Sequence, residues 1–315
     1  MTSSPYSTPR SYEARAERFN PPSAREAFRL ARELERARPQ HQSGHRLYWI
    51  TSGSFGSCDL AASVAAAVVV GSHDLCDVRL ADPRIELRHL LIRTTMVDDG
   101  CALLSVLDLH TAHGFYLSNG SVERSIDATG AVVIRVGGYA IVALPSGRKL
   151  PDELPLSIVE PATESPYRGA MFSPELLARP LDGSSRITQL PGIVDAIEAA
   201  SSVRANEGEL YEITMRSAAG TRSVRITGTA LRRGVLVGRS LNCNTDFRMM
   251  IDMGISRGHL LFLKDRHGEM AYDLSSTQGS YSFGRRERAV KLDDGGTTVM
   301  IGAAQKISLS WRRVN

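Results

Sequence analysis

The chain repeats itself once, and that repeat limits its architecture more than any other feature. Val70-Gly71-Ser72 answers Val237-Gly238-Arg239, and a cysteine follows each glycine by five residues, Cys76 and Cys243. Ile85-Glu86-Leu87-Arg88-His89 answers Ile255-Ser256-Arg257-Gly258-His259 at the same spacing. Leu107 to Tyr116 answers Tyr272 to Tyr281, and Gly137 sits late in the first copy as Gly302 does in the second. A repeat of about a hundred residues is too long for a solenoid unit and reads as two copies of one domain.

Within each copy, short apolar runs alternate with turn residues. The first holds Leu47-Tyr48-Trp49-Ile50, Val68-Val69-Val70, Leu90-Leu91-Ile92, Leu103 to Leu107, Val132 to Val136 and Ala140 to Leu144. The second holds Leu210 to Met215, Ser223 to Ile226 and Leu260-Leu261-Phe262-Leu263. Its last run sets Ile307, Leu309 and Trp311 against Lys306, Ser308 and Ser310, the period-two pattern of a half-buried strand. Many short strands with turn signals predict a sandwich or barrel. The expected class is all-β: two β-sandwiches joined by a partly helical linker, with an N-terminal helix.

The expected divisions are 1–44 for a disordered tail and a helix, 45–147 for the first sandwich, 148–205 for a linker with short helices, and 206–315 for the second sandwich. Residues 1–22 are rich in Ser, Pro and Arg and poor in large apolar groups, a composition that does not fold alone. Ser23 to Arg38 is predicted helical. Pro21-Pro22 precede it, Ser23 and Glu26 form a capping-box pattern, and Ala24, Phe28, Ala31 and Leu34 recur at helical spacing. That helix is expected to pack on its own domain. Prolines 151, 155, 161, 166, 174 and 180 break up the linker, with helix signals at Ser173-Pro174-Glu175 and over Leu190 to Ala200.

Three polar groups separate the strands of the second copy: Gly238-Arg239-Ser240, Ile255 to His259, and Asp273 to Tyr281. Loops at one end of a sandwich can converge on a ligand. Arg239 offers a planar fork of donors suited to phosphate, and Ser256 and Thr277 offer hydroxyl donors. No carboxylate–His–nucleophile set accompanies them, so the chemistry is that of holding a phosphate, not transferring one. Ser54, between Gly53 and Phe55-Gly56, lacks the strand–turn–helix setting of a nucleophile elbow. No enzymatic activity and no cofactor are expected. His259 is expected to be structural, Asp273 to fix a turn, and Tyr281 to lie in the core.

The order Gly-Arg, Ser-x-x-His, then Asp-Leu-x-Ser-Thr-x-Gly-x-Tyr resembles the forkhead-associated (FHA) domain. The resemblance covers roughly 210 of the 315 residues, split between the copies. It implies an eleven-stranded β-sandwich that binds phosphothreonine peptides through loops at one end. Carried over by motif, Arg239, Ser256 and Thr277 contact the phosphate and Arg257 lines the same site. Gly238, His259 and Gly279 support the loops. Gln278 stands where the family usually has an Asn that grips the peptide backbone, adding one methylene. The implied function is an adaptor in Ser/Thr-kinase signalling, whose partner is a phosphothreonine-containing protein, a kinase or its substrate. The alternative is a structural or scaffold module that binds partners without phosphate.

The first copy keeps the framework and loses the donors: Ser72, Glu86 and Ala112 stand where Arg239, Ser256 and Thr277 stand. A phosphothreonine carries about −1.5 to −2 charges, which Glu86 repels. This copy is therefore expected to serve packing, dimerisation or phosphate-independent recognition. His110 and His113 have no third partner for a metal, and no metal is expected.

Composition narrows the partners. A net charge of +4 suits an acidic ligand, but with aromatics at 6% it does not mark a nucleic-acid binder. Cys58, Cys76, Cys101 and Cys243 form no CxxC pair, so zinc is not expected, and their scatter fits a reducing cytoplasm. Residues 1–20 hold no apolar secretory core, and the run from Ala61 to Val70 is far short of the roughly 20 residues a membrane span needs. A cytoplasmic protein with no membrane contact is expected. Thr8, in the stretch Tyr6-Ser7-Thr8-Pro9-Arg10, which is expected to be mobile, is a candidate ligand for the same site once phosphorylated, though a tail without a role is the weightier reading.

Overall fold

The computed structural model describes residues 21–38, 44–63, 66–97, 101–146, 150, 209–241, 243–265, 268–293 and 296–314. Thr8 with the disordered-tail expectation, and the linker with its helices near Ser173 and over Leu190 to Ala200, lie outside the described residues.

Helix α1 (Ala24–Arg36) starts at the capping box its sequence announces. Ser23 Oγ accepts from the Glu26 amide at 3.3 Å, and the Glu26 carboxylate accepts from the Ser23 amide at 2.9 Å. Its buried stripe, Ala27, Phe28 and Ala31, covers Tyr48, Ile50, Val133, Ala140, Val142 and Leu144. Those residues form the outer face of the first copy's sheet, and apolar alternation on both faces of that sheet demands a cover. The second copy has Glu212, Thr214, Ser308, Ser310 and Arg312 on the corresponding face, which water can solvate. Glu35 pins the far end of α1, accepting from Tyr48 Oη at 2.6 Å and Arg46 Nη1 at 3.1 Å.

The first copy contributes β1 (Gly44–Ile50), β2 (Phe55–Ala61), β3 (Ala67–Gly71), β4 (Val78–Arg79), β5 (Leu90–Val97), β6 (Cys101–Asp108), β7 (Phe115–Leu117), β8 (Val122–Glu123), β9 (Ser125–Ala128), β10 (Val132–Val136) and β11 (Tyr139–Pro145). The second contributes β12 (Leu210–Ser217), β13 (Gly220–Thr227), α2 (Gly228–Arg233), β14 (Val235–Val237), α3 (Thr245–Arg248), β15 (Leu260–Asp265), β16 (Gly268–Asp273), β17 (Ser280–Ser282), β18 (Arg285–Glu287), β19 (Ala289–Leu292), β20 (Thr298–Ile301) and β21 (Ile307–Val314). One sheet of the first copy runs β2-β1-β11-β10-β7-β8, and its counterpart runs β13-β12-β21-β20-β17-β18. The facing sheets run β4-β3-β5-β6-β9 and β14-β15-β16-β19. The described residues thus form two β-sandwiches of matching strand order, with the helix at the N-terminal side.

Among the described residues the second copy has no counterpart of β4. The residues after Cys243 turn into α3, because Asn244 Oδ1 accepts from the Asp246 and Phe247 amides at 3.0 and 3.3 Å and so caps a helical turn. Phe247 then drops into the core. The eleven strands implied by resemblance are met in the first copy, while ten are described in the second. Each sandwich has its own core, around Leu47, Ile92, Phe115 and Ile134 in the first and Tyr211, Phe262, Val299 and Trp311 in the second.

The two sandwiches also share a third cluster. Val69, Leu91 and Leu109 of the first copy pack with Leu236, Leu261, Leu263, Met270, Tyr272 and Leu274 of the second. This explains why β3, β5 and β15 read as continuous apolar runs: both faces of these sheets are covered. Polar pins edge the contact. Arg93 Nη1 donates to Tyr272 Oη at 3.0 Å with its guanidinium 5.4 Å from the ring centroid, and His110 Nε2 meets the Gly234 carbonyl at 3.1 Å. Among the described residues, no helix is long and apolar enough to cross a membrane.

Candidate functional site

The site begins with a close approach of two backbones. A Cβ on Gly238 would lie 2.1 Å from the Arg257 carbonyl oxygen, so only glycine lets these loops meet. The approach allows the Arg239 amide to donate to Ser256 O at 3.2 Å and the Ser240 amide to Arg257 O at 2.8 Å. The Cys243 thiol donates to the same Arg257 carbonyl at 3.2 Å.

His259 staples this pair of loops to the third. Its Nδ1 accepts from the Ser256 amide at 3.4 Å, which leaves the proton on Nε2 to donate to Gly279 O at 3.1 Å. Asp273 anchors the third loop, accepting from the Ser276 amide at 2.8 Å and from the Ser276 and Ser280 hydroxyls at 2.7 Å each. Ser276 Oγ in turn accepts from the Gly279 amide at 2.9 Å. Gly279 has φ +80°, so this turn favours glycine for its conformation; a Cβ there would meet Arg286 Nε at 2.5 Å, a flexible side chain that can move aside.

On that frame the candidate donors gather. The Thr277 amide donates to Ser256 Oγ at 3.0 Å, and the two hydroxyl oxygens stand 3.5 Å apart. Arg239 Nε donates to Ile255 O, the residue before Ser256, while its Nη1 lies 3.3 Å from the Met253 thioether. Arg257, Thr277 and Gln278 point outward and are exposed; Ser256 is buried against Thr277. Tyr281 is half-exposed, not core: β17 turns Ser280 and Ser282 inward, which puts Tyr281 on the outer face, where its hydroxyl donates to Gln278 O at 3.1 Å. Sequence reading passed over Arg286, which donates to Ser276 O at 3.4 Å, and Arg288, which donates to Ser275 Oγ at 3.0 Å. The basic run Arg285-Arg286-Glu287-Arg288 was the available signal.

The first copy builds the same frame. Ser72 N donates to Glu86 O at 2.9 Å, Glu86 N to His89 Nδ1 at 3.2 Å, and His89 Nε2 meets Gly114 O at 2.8 Å. Gly71 makes the same close approach as Gly238, with a Cβ 2.3 Å from Leu87 O. What differs is the presented chemistry: Ser72, exposed Glu86 and Ala112.

Electrostatically, the second copy's apex is a donor site. Of the carboxylates there, Asp273 is already engaged by two hydroxyls and an amide, and Asp252 accepts from the Gly254 amide at 2.8 Å. Among the described residues no group of His, Cys, Asp or Glu is placed to hold a metal. Burial pushes the Cys76 and Cys58 thiols up to about 11 and the Cys243 thiol up to about 12, so these three remain protonated and poorly nucleophilic. Burial also lowers His89 and His259, against the opposing pull of Asp108 and Asp273, so both are neutral in the fold near pH 7. The unfolded chain takes up these protons first as pH falls through about 6.5. Stability that is complete above that value therefore declines below it, by up to about 1.4 kcal/mol per pH unit for each histidine. Melting temperatures measured from pH 7.5 to 5.5 are expected to fall; a flat profile would contradict neutral staples.

No family model and no curated protein matches the chain. Among solved structures it is similar to the Slr1951 protein from Synechocystis sp., at 17% identity over 34% of this chain and 98% of that one, with a TM-score of 0.28. It is also similar to the FHA domain of CT664 from Chlamydia trachomatis, at 18% identity over 32% of this chain and 95% of that one, TM-score 0.27. A third is Rv1747 FHA-1 from Mycobacterium tuberculosis, at 31% identity over 33% of this chain and 98% of that one, TM-score 0.25.

Proposed function

We propose that this chain is an adaptor that binds a phosphothreonine-containing protein through its C-terminal sandwich, an FHA domain spanning 206–315. Arg239, Ser256 and Thr277 hold the phosphate, Arg257 lines the same site, Gln278 engages the peptide backbone, and Gly238, His259 and Gly279 shape the loops. The first copy, 45–147, is a degenerate FHA-like sandwich. The observation that carries the reading is the pairing of Ser256 and Thr277: hydroxyls from two loops stand 3.5 Å apart, with Arg239 tethered to the carbonyl next door. A tetrahedral dianion needs such a convergent set of hydroxyl and guanidinium donors. Phosphothreonine is the product of Ser/Thr kinases, so the partner is a kinase or its substrate, met in the cytoplasm and without a cofactor.

The test is to screen the full chain against an oriented phosphothreonine peptide library and its unphosphorylated counterpart. Retention of phosphorylated peptides alone is expected. Equal retention of both forms would overturn the proposal in favour of a phosphate-independent scaffold, the reading that Gln278 and Glu86 favour.

A further inference from the structure

We infer that Arg88 of the first sandwich is a positioning residue for the phosphate-binding loop of the second, so that ligand affinity in one copy depends on a side chain in the other. The inference rests on the phosphopeptide reading for its functional consequence, but not for its geometry.

Arg88 occupies the register position that Gly258 occupies in the second copy. The two meet across the interface: a Cβ on Gly258 would lie 3.7 Å from Arg88 Cδ. From there Arg88 reaches out of its own sandwich. Its Nε donates to Leu274 O and its Nη2 to Ser275 O at 2.7 Å. A guanidinium spans two successive carbonyls with a rigid planar fork of donors, a fixed geometry that an ammonium does not offer. The first copy sends a second support through Asp77. Its Oδ2 accepts from the Val69 amide at 2.8 Å and from Arg288 Nη2 at 2.5 Å, and Arg288 Nη1 donates on to Ser275 Oγ at 3.0 Å.

Two of these bonds, from Arg88 Nη2 and Arg288 Nη1, end on Ser275, which has φ +54°. A serine holds a left-handed conformation only where its surroundings over-determine it. Ser275 is two residues before Thr277, and its conformation sets the direction in which the Ser276-Thr277 segment leaves. The Thr277 amide must then meet Ser256 Oγ at 3.0 Å. In the first copy the matching residue, His110, is also left-handed at φ +58° and is likewise held across the interface, by Gly234 O. Each sandwich therefore fixes the strained residue of the other, but only the second carries a phosphate donor downstream of it. This gives the degenerate copy a role its own apex does not provide.

The experiment uses the full chain and a peptide taken from the library screen. Titrations of wild type, Arg88→Ala, Thr277→Ala and the double variant form a cycle, with amide hydrogen exchange at Thr277 measured in the unliganded proteins. Arg88→Ala is expected to weaken phosphopeptide binding on the order of tenfold with Thr277 present and less than twofold with Thr277 removed, since residues acting as a unit are not additive. Arg88→Lys, which keeps charge but not the fork, should fall between. Thr277 exchange should quicken in Arg88→Ala. Unchanged affinity with unchanged exchange, or an equal loss in the Thr277→Ala background, would overturn the inference, the latter because it signals general destabilisation. If wild type shows no phosphate-dependent binding, the phosphopeptide reading fails, and Thr277 exchange still decides the positioning: quickened supports it, unchanged overturns it.

Discussion

Arg239→Ala is expected to weaken phosphothreonine-peptide binding at least tenfold while leaving thermal unfolding almost unchanged. A charge-assisted hydrogen bond contributes about 1.5–3 kcal/mol, so loss of even one converts to roughly 10–150-fold in affinity. A bidentate contact would lose more. Stability should hardly move, because the half-buried side chain bonds a carbonyl and a thioether on a surface loop. The thioether is a weak acceptor that phosphate can displace at little cost. The same variant tests the first copy. In that sandwich Ser72 stands at the position of Arg239, Glu86 repels phosphate, and Arg124 is engaged by Asp108 and by the Thr111 and Ala112 carbonyls, so one phosphate-dependent site per chain is expected in wild type and variant alike. Calorimetric titration with phosphorylated and plain peptide decides both points. Affinities equal to wild type would remove Arg239 from the phosphate, and a second phosphate-dependent site per chain would show that the first apex has a site of its own.

Much of this molecule was legible because the repeat preserves residues with backbone jobs. Gly71 and Gly238 permit a contact that no other residue allows, His89 and His259 each staple two loops, and Asp108 and Asp273 each fix a turn; such positions recur wherever the frame recurs. The capping box at Ser23 was equally plain, since its two hydrogen bonds lie within one helical turn. Other features left little local trace. The continuous apolar character of Val68-Val69-Val70 and Leu260 to Leu263 says that both sheet faces are covered, but not by what. The partner surface lies some two hundred residues away in the chain, and Arg88 reaches across 186 positions to Leu274. Its counterpart, Gly258, differs in chemistry, so comparing the copies marks Arg88 as a mismatch, not as a contact. Tyr281 was misjudged because aromatic character outweighed parity: Ser280 and Ser282 are the inward pair on that three-residue strand. The turn into α3 hangs on one cap, Asn244, against a strand at the same place in the first copy.

Gly238→Ala is expected to lower stability and binding together, in contrast to Arg239→Ala one residue later. The added methyl would sit 2.1 Å from Arg257 O, 2.8 Å from Arg257 C and 2.9 Å from Ser256 O. All three are backbone atoms, so no side chain can rotate away, and the two loops must part. Parting them breaks the Arg239 N to Ser256 O and Ser240 N to Arg257 O bonds, and each buried group left unpaired costs about 1–3 kcal/mol. A loss of about 2–5 kcal/mol is expected. Binding should suffer beyond what unfolding accounts for, because Ser256 shifts with its loop and draws its hydroxyl from the Thr277 amide. Denaturant unfolding and peptide titration below the transition separate the two effects. Gly71→Ala supplies the control: the methyl would lie 2.3 Å from Leu87 O, so a comparable stability loss is expected in the first sandwich. Any effect on binding there must pass through Leu87 and its neighbour Arg88. A Gly238→Ala protein with unchanged stability and affinity would mean that the loops do not meet at Arg257, and the side-chain bond to Ile255 O alone would then hold Arg239 beside the Ser256–Thr277 pair.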